Sequence, residues 1–193
     1  MRIERKYPSI SVVIPTYNEE NFIKGCLESI LKAKVNYKGK IEVIVVDDGI
    51  DRTSNIASEF GVKVIKGSNK GVSEARNIGW KVAQGEVIVF LDADMRIDPN
   101  HFNEITKNIM KPEVGGVNHH EVLHNKDSKI AQLNGLRLFF RQYKALKNPY
   151  AHHEGAVIRA TRKEILKEVN GYDPQLYAYE DIELSTRIMS RMQ

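Results

Sequence analysis

The residues that most suggest chemistry are Asp92 and Asp94, which close the run Glu86-Val-Ile-Val-Phe-Leu-Asp-Ala-Asp94. The apolar stretch 87–91 is β-branched and aromatic, as in a strand buried on both faces. In an extended chain, aspartates two apart point to one side, where their like charges repel unless a cation stands between them. Hard oxygen ligands at that spacing suit Mg²⁺ or Mn²⁺. The alternative is that one of them merely caps the helix that follows, yet Asp98-Pro99 supplies an N-cap and a first-turn proline of its own.

Other carboxylates and cations keep company with this pair. In Pro15-Thr-Tyr-Asn-Glu19, Asn18 is placed to cap a helix and Glu19-Glu20 to complement its positive end, so Glu19 reads either as helix chemistry or as a ligand group. Asp47 and Asp48 precede Gly49 at a predicted strand end, where they form an acidic turn or accept from a nucleobase N–H or a ribose hydroxyl. Lys70 and Arg76 flank a predicted helix start, either as solvated charge or as contacts to a base or a diphosphate. Glu180-Asp181, after Gly171-Tyr-Asp173, is a second acidic pair at a helix start, favourable there for dipole reasons alone. The same place would hold a carboxylate in fixed geometry to take a proton from an attacking hydroxyl. His119, His120 and His124 fall in an extended stretch without a matching fourth zinc ligand. His152 and His153, ahead of Glu154-Gly155, are further candidates for the metal or acceptor region.

The elements that must position these groups follow from periodicity. Strands are predicted over 10–14, 41–46, 62–65 and 87–91. Between them run helical patterns carrying Phe22, Ile23, Cys26, Leu27, Ile30 and Leu31, then Ile56 and Phe60, then Val72, Ala75, Ile78, Gly79 and Val82. Later, 98–110 and 129–146 read as helical, 114–122 and 155–160 as extended, and a last helix starts near Glu180 and runs to the end. Strands alternating with helices predict an α/β fold with a mostly parallel central sheet, right-handed crossovers and ligands beyond the carboxyl ends of the strands. Three of those ends carry the clusters Pro15, Thr16, Tyr17 and Glu19; Asp47 and Asp48; and Asp92, Ala93 and Asp94.

Composition bounds the rest. At 193 residues, 41% hydrophobic and 28% charged, the chain is expected to form one domain with a full core. A net charge of +4 slightly favours anionic ligands and is far from the clustered charge of a dedicated nucleic-acid binder, so charge alone leaves the partner class open. Cys26 alone excludes a disulfide framework or a cysteine metal cluster and suits a reducing compartment. No apolar run reaches the roughly 18 residues of a membrane span and no signal-peptide core follows the N-terminus, so the expected location is cytoplasmic. Within 129–146, Ile130, Leu133, Leu136, Phe139, Phe140 and Tyr143 accompany Arg137, Arg141 and Lys144. That stretch is either a core-covering helix or a peripheral contact with the inner face of an anionic membrane, near a lipid-linked acceptor.

Read together, these pieces resemble the inverting, metal-dependent GT-A glycosyltransferases of family 2. The matching residues are Ser11-Val-Val-Ile-Pro-Thr-Tyr-Asn-Glu19, Val45-Val-Asp-Asp-Gly49, Asn69-Lys-Gly71 with Ala75-Arg-Asn-Ile-Gly79, Ala83-Gln-Gly-Glu86, Phe90-Leu-Asp-Ala-Asp94, Gly171-Tyr-Asp173, and Glu180-Asp181 with Arg187. The resemblance implies a GT-A fold with a nucleotide-sugar-binding half over 1–95 and a smaller acceptor-side half, with the catalytic base, over 96–193. It implies transfer of a sugar from a nucleotide-diphosphate donor to a hydroxyl of a glycan, protein or lipid-linked acceptor, with Mn²⁺ or Mg²⁺ as cofactor and no nucleic-acid partner. Asp48 and Arg76 would contact the base, Asp92 the ribose or sugar, and Asp94 the metal bridging the diphosphate. Asp181, with Glu180 beside it, would supply the base. Asp48-Gly-Ile-Asp-Arg-Thr53 is one residue short of the family pattern, so no role carries over to Asp51. The chain ends soon after Asp181, as expected of a minimal catalytic domain, and compact members of this kind occur in archaea and their viruses. Two other readings compete. A nucleotidyltransferase normally has a glycine-rich basic loop after its first strand, which Pro15-Thr-Tyr-Asn-Glu19 is not; the other is a non-catalytic nucleotide-sugar-binding or membrane-associated protein.

Overall fold

The four apolar runs form strands β1 (Ile10–Thr16), β2 (Ile41–Asp47), β3 (Lys63–Lys66) and β4 (Val87–Phe90). The structure, a computed structural model, describes residues 7–118, 129, 157–176 and 178–192. β1 to β4 are mutually parallel, and two short strands, β5 (Gly116–Val117) and β6 (Ala160–Arg162), complete a six-stranded sheet in the order β3-β2-β1-β4-β6-β5, with β6 antiparallel to both neighbours. Among the described residues six helices flank it: α1 (Ile23–Val35), α2 (Thr53–Glu59), α3 (Val72–Val82), α4 (His101–Ile109), α5 (Lys163–Glu168) and α6 (Glu180–Met192).

Alternate residues of each central strand feed two cores, which is why the strands read as unbroken apolar runs. On one face Val12, Ile14, Val45 and Val89 pack with Ile23, Leu27 and Ile30 of α1 and Phe102 and Ile109 of α4. On the other, Val13, Ile44, Ile88 and Phe90 pack with Trp80 of α3, Leu166 of α5 and Leu184 and Ile188 of α6. Among the described residues no helix is long and apolar enough to cross a membrane.

Several local expectations are corrected. In α1 the buried face is Ile23, Cys26, Leu27, Ile30 and Ala33, while Phe22 and Leu31 are 48% and 38% exposed. Asn18 does not cap that helix: it sits at φ 57° and its side-chain oxygen accepts the Ile50 amide. In α3, Val72 and Val82 face outward and the buried set is Ser73, Ala75, Arg76, Asn77, Gly79 and Trp80. A Cβ on Gly79 would come within 2.3 Å of Val13 Cγ1, so the helix lies hard against β1, and Arg76 and Asn77 are tolerated inside because distant partners meet them. Asp98 caps only its own turn, accepting from the Asn100 amide, and α4 starts at His101 with no side-chain cap. Of 114–122 the strand is Gly116–Val117, and 119–122 lie outside the described residues; of 155–160 the same holds for 155–156, and β6 opens at Ala160. His119, His120, His124, His152, His153 and all of 129–146 except Lys129 also lie outside them.

Candidate functional site

The sheet order reverses between β1 and β4, since β1 is followed in the chain by β2 and β3 toward one edge and β4 by β5 and β6 toward the other, and a crevice at such a switch point is where open α/β sheets bind ligands. A cleft of about 690 Å³ lies there. Pro15, Thr16, Tyr17 and Glu19 line it from the end of β1, Asp48 from the end of β2, and Asp92, Ala93 and Asp94 from the end of β4. Asn69, Gly71, Val72 and Ala75 complete the lining; of these, Asn69 at φ 55° and Gly71 at φ 94° stand in the quoted pattern Asn69-Lys-Gly71 but carried no role there. Asp47, Lys70, Arg76, Glu180 and Asp181 do not line it.

The two aspartates after β2 have separate fates. Asp47 is 1% exposed, and its carboxylate accepts from Thr16 Oγ1 (2.8 Å), the Gly49 amide (3.0 Å) and the Ser54 hydroxyl, so it knits β1, the turn and α2 together. Asp48 donates its amide to the Thr16 carbonyl (2.9 Å) and accepts the Asn69 amide on Oδ1 (2.7 Å). Gly67 makes room for it, since a Cβ there would stand 2.1 Å from Asp48 Oδ1. Asp51, left without a role by the sequence, accepts from the Thr53 amide (2.9 Å) and hydroxyl and from the Glu20 amide (3.0 Å), fixing the loop that carries Glu19. Burial works against ionisation of Asp51, but those hydrogen bonds prevail and hold its pKa below the ordinary value.

Asp92 and Asp94 do not continue the strand. β4 ends at Phe90, and Asp92 to Met95 form a turn closed by the Met95 amide on the Asp92 carbonyl at 3.0 Å, which corrects the extended geometry expected of the pair. The cations that meet Asp92 are guanidiniums: Arg76 Nη2 on Oδ1 at 3.0 Å and Arg159 Nη1 on Oδ2 at 3.1 Å. Asp94 is exposed on the cleft wall. Partial burial, then the negative charges of Asp94, Asp51 and Asp92, push the Glu19 carboxyl above its ordinary pKa, so this lip of the cleft carries a field that attracts cations. Among the described residues no group of three or more His, Cys, Asp or Glu forms a metal cage.

Behind the cleft, Arg76 is 4% exposed, donates from Nη1 to Glu180 Oε1 at 2.7 Å, and lies over the Tyr172 ring at 5.2 Å. Asn77 holds Tyr172 by both backbone groups (2.9 and 2.8 Å) and accepts Trp80 Nε1 (2.8 Å). Gly171, at φ 64°, has no room for a Cβ, which would meet Trp80 Nε1 at 2.5 Å. Arg187 donates to the carbonyls of Val169 and Gly171, so its place in the sequence pattern is a structural one. Burial pushes the Tyr172 hydroxyl pKa upward against the pull of Arg76 and Arg159. Asp181, in the first turn of α6, accepts the Ile182 amide at 2.8 Å. Ser185 donates to the Asp181 carbonyl (2.6 Å) and accepts the Ile158 amide (2.9 Å), tying α6 to the segment that carries Arg159. Lys70 is exposed between Asn69 and Gly71. Burial, then the charge of Asp94, push the Cys26 thiol up to about 12, so it is no nucleophile at neutral pH.

Comparison with known proteins agrees with this architecture. The sequence profile described as Glycosyl transferase family 2 matches residues 11–169. The probable glycosyltransferase YdaM of Bacillus subtilis (strain 168) is 30% identical over 203 residues, covering 95% of this chain and 47% of that protein. The uncharacterized glycosyltransferase EpsJ of the same organism is 37% identical over 106 residues, covering 52% of this chain and 30% of that protein, so the chain spans less than half the length of either relative. Among solved structures, the mannosyltransferase PcManGT from Pyrobaculum calidifontis, in complex with GDP-Man and Mn²⁺, superposes with a TM-score of 0.71 at 22% identity over 95% of this chain and 52% of that one. S. aureus TarS 1-349 in complex with UDP does so with a TM-score of 0.65 at 22% identity, covering 94% of this chain and 55% of that one. The fold is therefore GT-A, and with its profile matched over 11–169 the chain belongs to glycosyl transferase family 2.

Proposed function

We propose that the chain moves a sugar from a nucleoside-diphosphate donor to an acceptor hydroxyl, with inversion and with the help of Mn²⁺ or Mg²⁺. The observation that carries this reading is convergence: carboxylates from three strand ends meet in one cleft of about 690 Å³, and the acidic start of α6 is tied to that cleft through Arg76. Asp48 accepts from the base, and Tyr17, 65% exposed on the cleft wall, offers it an aromatic face. Asp92, held by a guanidinium on each oxygen, keeps lone pairs for a ribose or sugar hydroxyl. Buried and doubly paired, Arg76 acts on the donor through Asp92 and not by touching the base.

The donor set fits a divalent cation. Mg²⁺ and Mn²⁺ are commonly held by one or two carboxylates, with substrate phosphates and water completing the shell, so a protein cage is not required. Asp94 would be the first ligand, with Asp92 and Glu19 beside it and His152 and His153 as further candidates. Bound there, the cation would neutralise the departing diphosphate as a Lewis acid. Asp181 deprotonates the acceptor hydroxyl for attack on the far face of the anomeric carbon. The 1–95 half supplies the donor side and 96–193 the acceptor side, where 129–146 would form any peripheral contact with a cytoplasmic membrane face.

A thermal-shift screen tests this with UDP, GDP, UDP-glucose, UDP-GlcNAc and GDP-mannose, with and without Mn²⁺, on the parent and Asp94→Ala. Nucleotide raises the midpoint, and Mn²⁺ enlarges the shift in the parent but not in Asp94→Ala. No shift from any ligand would overturn the reading. Release of a sugar 1-phosphate in place of a nucleoside diphosphate during turnover of a nucleotide sugar would favour nucleotidyl transfer.

A further inference from the structure

One buried side chain joins the donor cleft to α6 without lining the cleft. The guanidinium of Arg76 is shared between Asp92 Oδ1 at 3.0 Å and Glu180 Oε1 at 2.7 Å, and Arg159 meets the other oxygen of Asp92 at 3.1 Å. Two carboxylates and two guanidiniums thus form a line, Glu180–Arg76–Asp92–Arg159, that starts in the first turn of α6 and ends in the segment leading into β6. The Glu180 side chain is only 13% exposed. Protonating Glu180 would break its pair and leave half of the Arg76 charge uncompensated in the interior. Asp181, one residue on, receives no guanidinium among the described contacts; its Oδ1 accepts the Ile182 amide. Adjacent acids are therefore set apart, one clamped into the core and one at the helix start.

Resting on the reading of the site as one that transfers sugar, we propose that Glu180 is a positioning residue and not the proton acceptor: through Arg76 it fixes the first turn of α6, and Asp181 with it, relative to Asp92 in the donor cleft. A carboxylate displaced by about 1 Å at such a site costs on the order of a hundredfold in rate.

The test measures UDP or GDP released from UDP-GlcNAc, UDP-glucose and GDP-mannose with Mn²⁺, water serving as acceptor, across pH. Glu180→Gln is expected to lower kcat by about ten- to a hundredfold while keeping the donor KM and the acid limb of the pH profile, whereas Asp181→Asn loses that limb. Loss of the acid limb in Glu180→Gln overturns the proposal. A ligand-free arm compares thermal midpoints of Asp92→Asn, Glu180→Gln and the double variant in the parent and in Arg76→Met. Non-additive shifts in the parent that become additive in Arg76→Met support the linkage, and additive shifts in both sink it. Where Arg76→Met does not fold, Arg76→Lys, which keeps the charge but loses the fork, takes its place. If the parent releases nucleotide from none of the donors, transfer of their sugars to water is refuted, and the midpoint cycle decides whether Glu180 is linked to Asp92.

Discussion

The two sides of the site are held by different means. On the side proposed to hold the donor, β1 and β2 share a seven-residue parallel register, and the turns that carry Asp48 and Glu19 are fixed by hydrogen bonds within and between neighbouring loops. On the α6 side, β6 pairs with β4 over three residues and with β5 over two. Among the described residues, further order there comes from the core packing of Leu184 and Ile188 and from polar side chains reaching far along the sequence, above all Asn77 to Tyr172 and Arg76 to Glu180. The geometry at the strand ends is thus a property of the sheet, while the position of Asp181 depends in addition on a few polar clasps. Losing a clasp should loosen one side and spare the other.

The largest effect is expected from Asn77→Ala. The Tyr172 amide and carbonyl and Trp80 Nε1 would all lose their partner while buried, and each such group costs about 1–3 kcal/mol, so a total of about 3 kcal/mol or more should appear in urea unfolding. Amide exchange should accelerate in α6 while β1 and β2 stay protected. Equal acceleration on both sides would break the comparison.

A smaller, sharper pair is Gly171→Ala against Gly61→Ala. Both glycines sit in the left-handed region, at φ 64° and 65°, so both alanines carry the same backbone cost of about 1–2 kcal/mol. Only at Gly171 would the new Cβ meet side chains, Trp80 Nε1 at 2.5 Å and Asn77 Oδ1 at 2.6 Å; nothing lies within 4 Å at Gly61. Gly171→Ala should therefore cost about 1–3 kcal/mol more. Equal losses would mean that the 171–172 turn yields easily, contrary to a tightly clasped α6 side.

The same division explains what was legible in the sequence. β1, β2 and β4 were readable because each is buried on both faces and so is a nearly unbroken apolar run, and the cleft followed because open α/β sheets bind ligands where such runs stop. Pro15, Thr16, Tyr17, Glu19, Asp48, Asp92, Ala93 and Asp94 line it as the strand ends suggested. Asp47 and Asp48 look alike in sequence, yet side chains face alternately along the strand, and Asp47 is taken up by Thr16, Gly49 and Ser54. The register of α3 was off because its inward face holds Arg76 and Asn77, polar residues kept inside in part by Glu180 and Tyr172, about a hundred residues away, which leave no local trace. Asn18 and Asp98 have the right residue types for caps, but loop contacts won over helix starts.

The smallest effects concern pH, and they divide the donor loop itself. Glu19 is held above its ordinary pKa by burial and by Asp94, Asp51 and Asp92, so the stability linked to its proton is full below the ordinary glutamate range and lost as pH rises through the folded value. Asp51 runs the other way: hydrogen bonds from Thr53 and Glu20 outweigh its burial, so its contribution is full above the ordinary aspartate range and lost as pH falls through the lowered value. Glu19→Gln should therefore be more stable than the parent at neutral pH, with the advantage fading in acid. Asp51→Asn should be less stable at neutral pH, with the deficit fading in acid. Urea midpoints of the three proteins from about pH 3 to 7 decide it, since these differences vanish only where the carboxyl is protonated in both states. Differences of the same sign at pH 7 would show that the two loop acids do not stand apart. Mn²⁺ adds a control, because on the proposed reading a cation at Asp94 would relieve the repulsion on Glu19 but would contribute nothing to the hydrogen bonds on Asp51. The Glu19→Gln advantage should shrink with metal, and the Asp51→Asn deficit should stay.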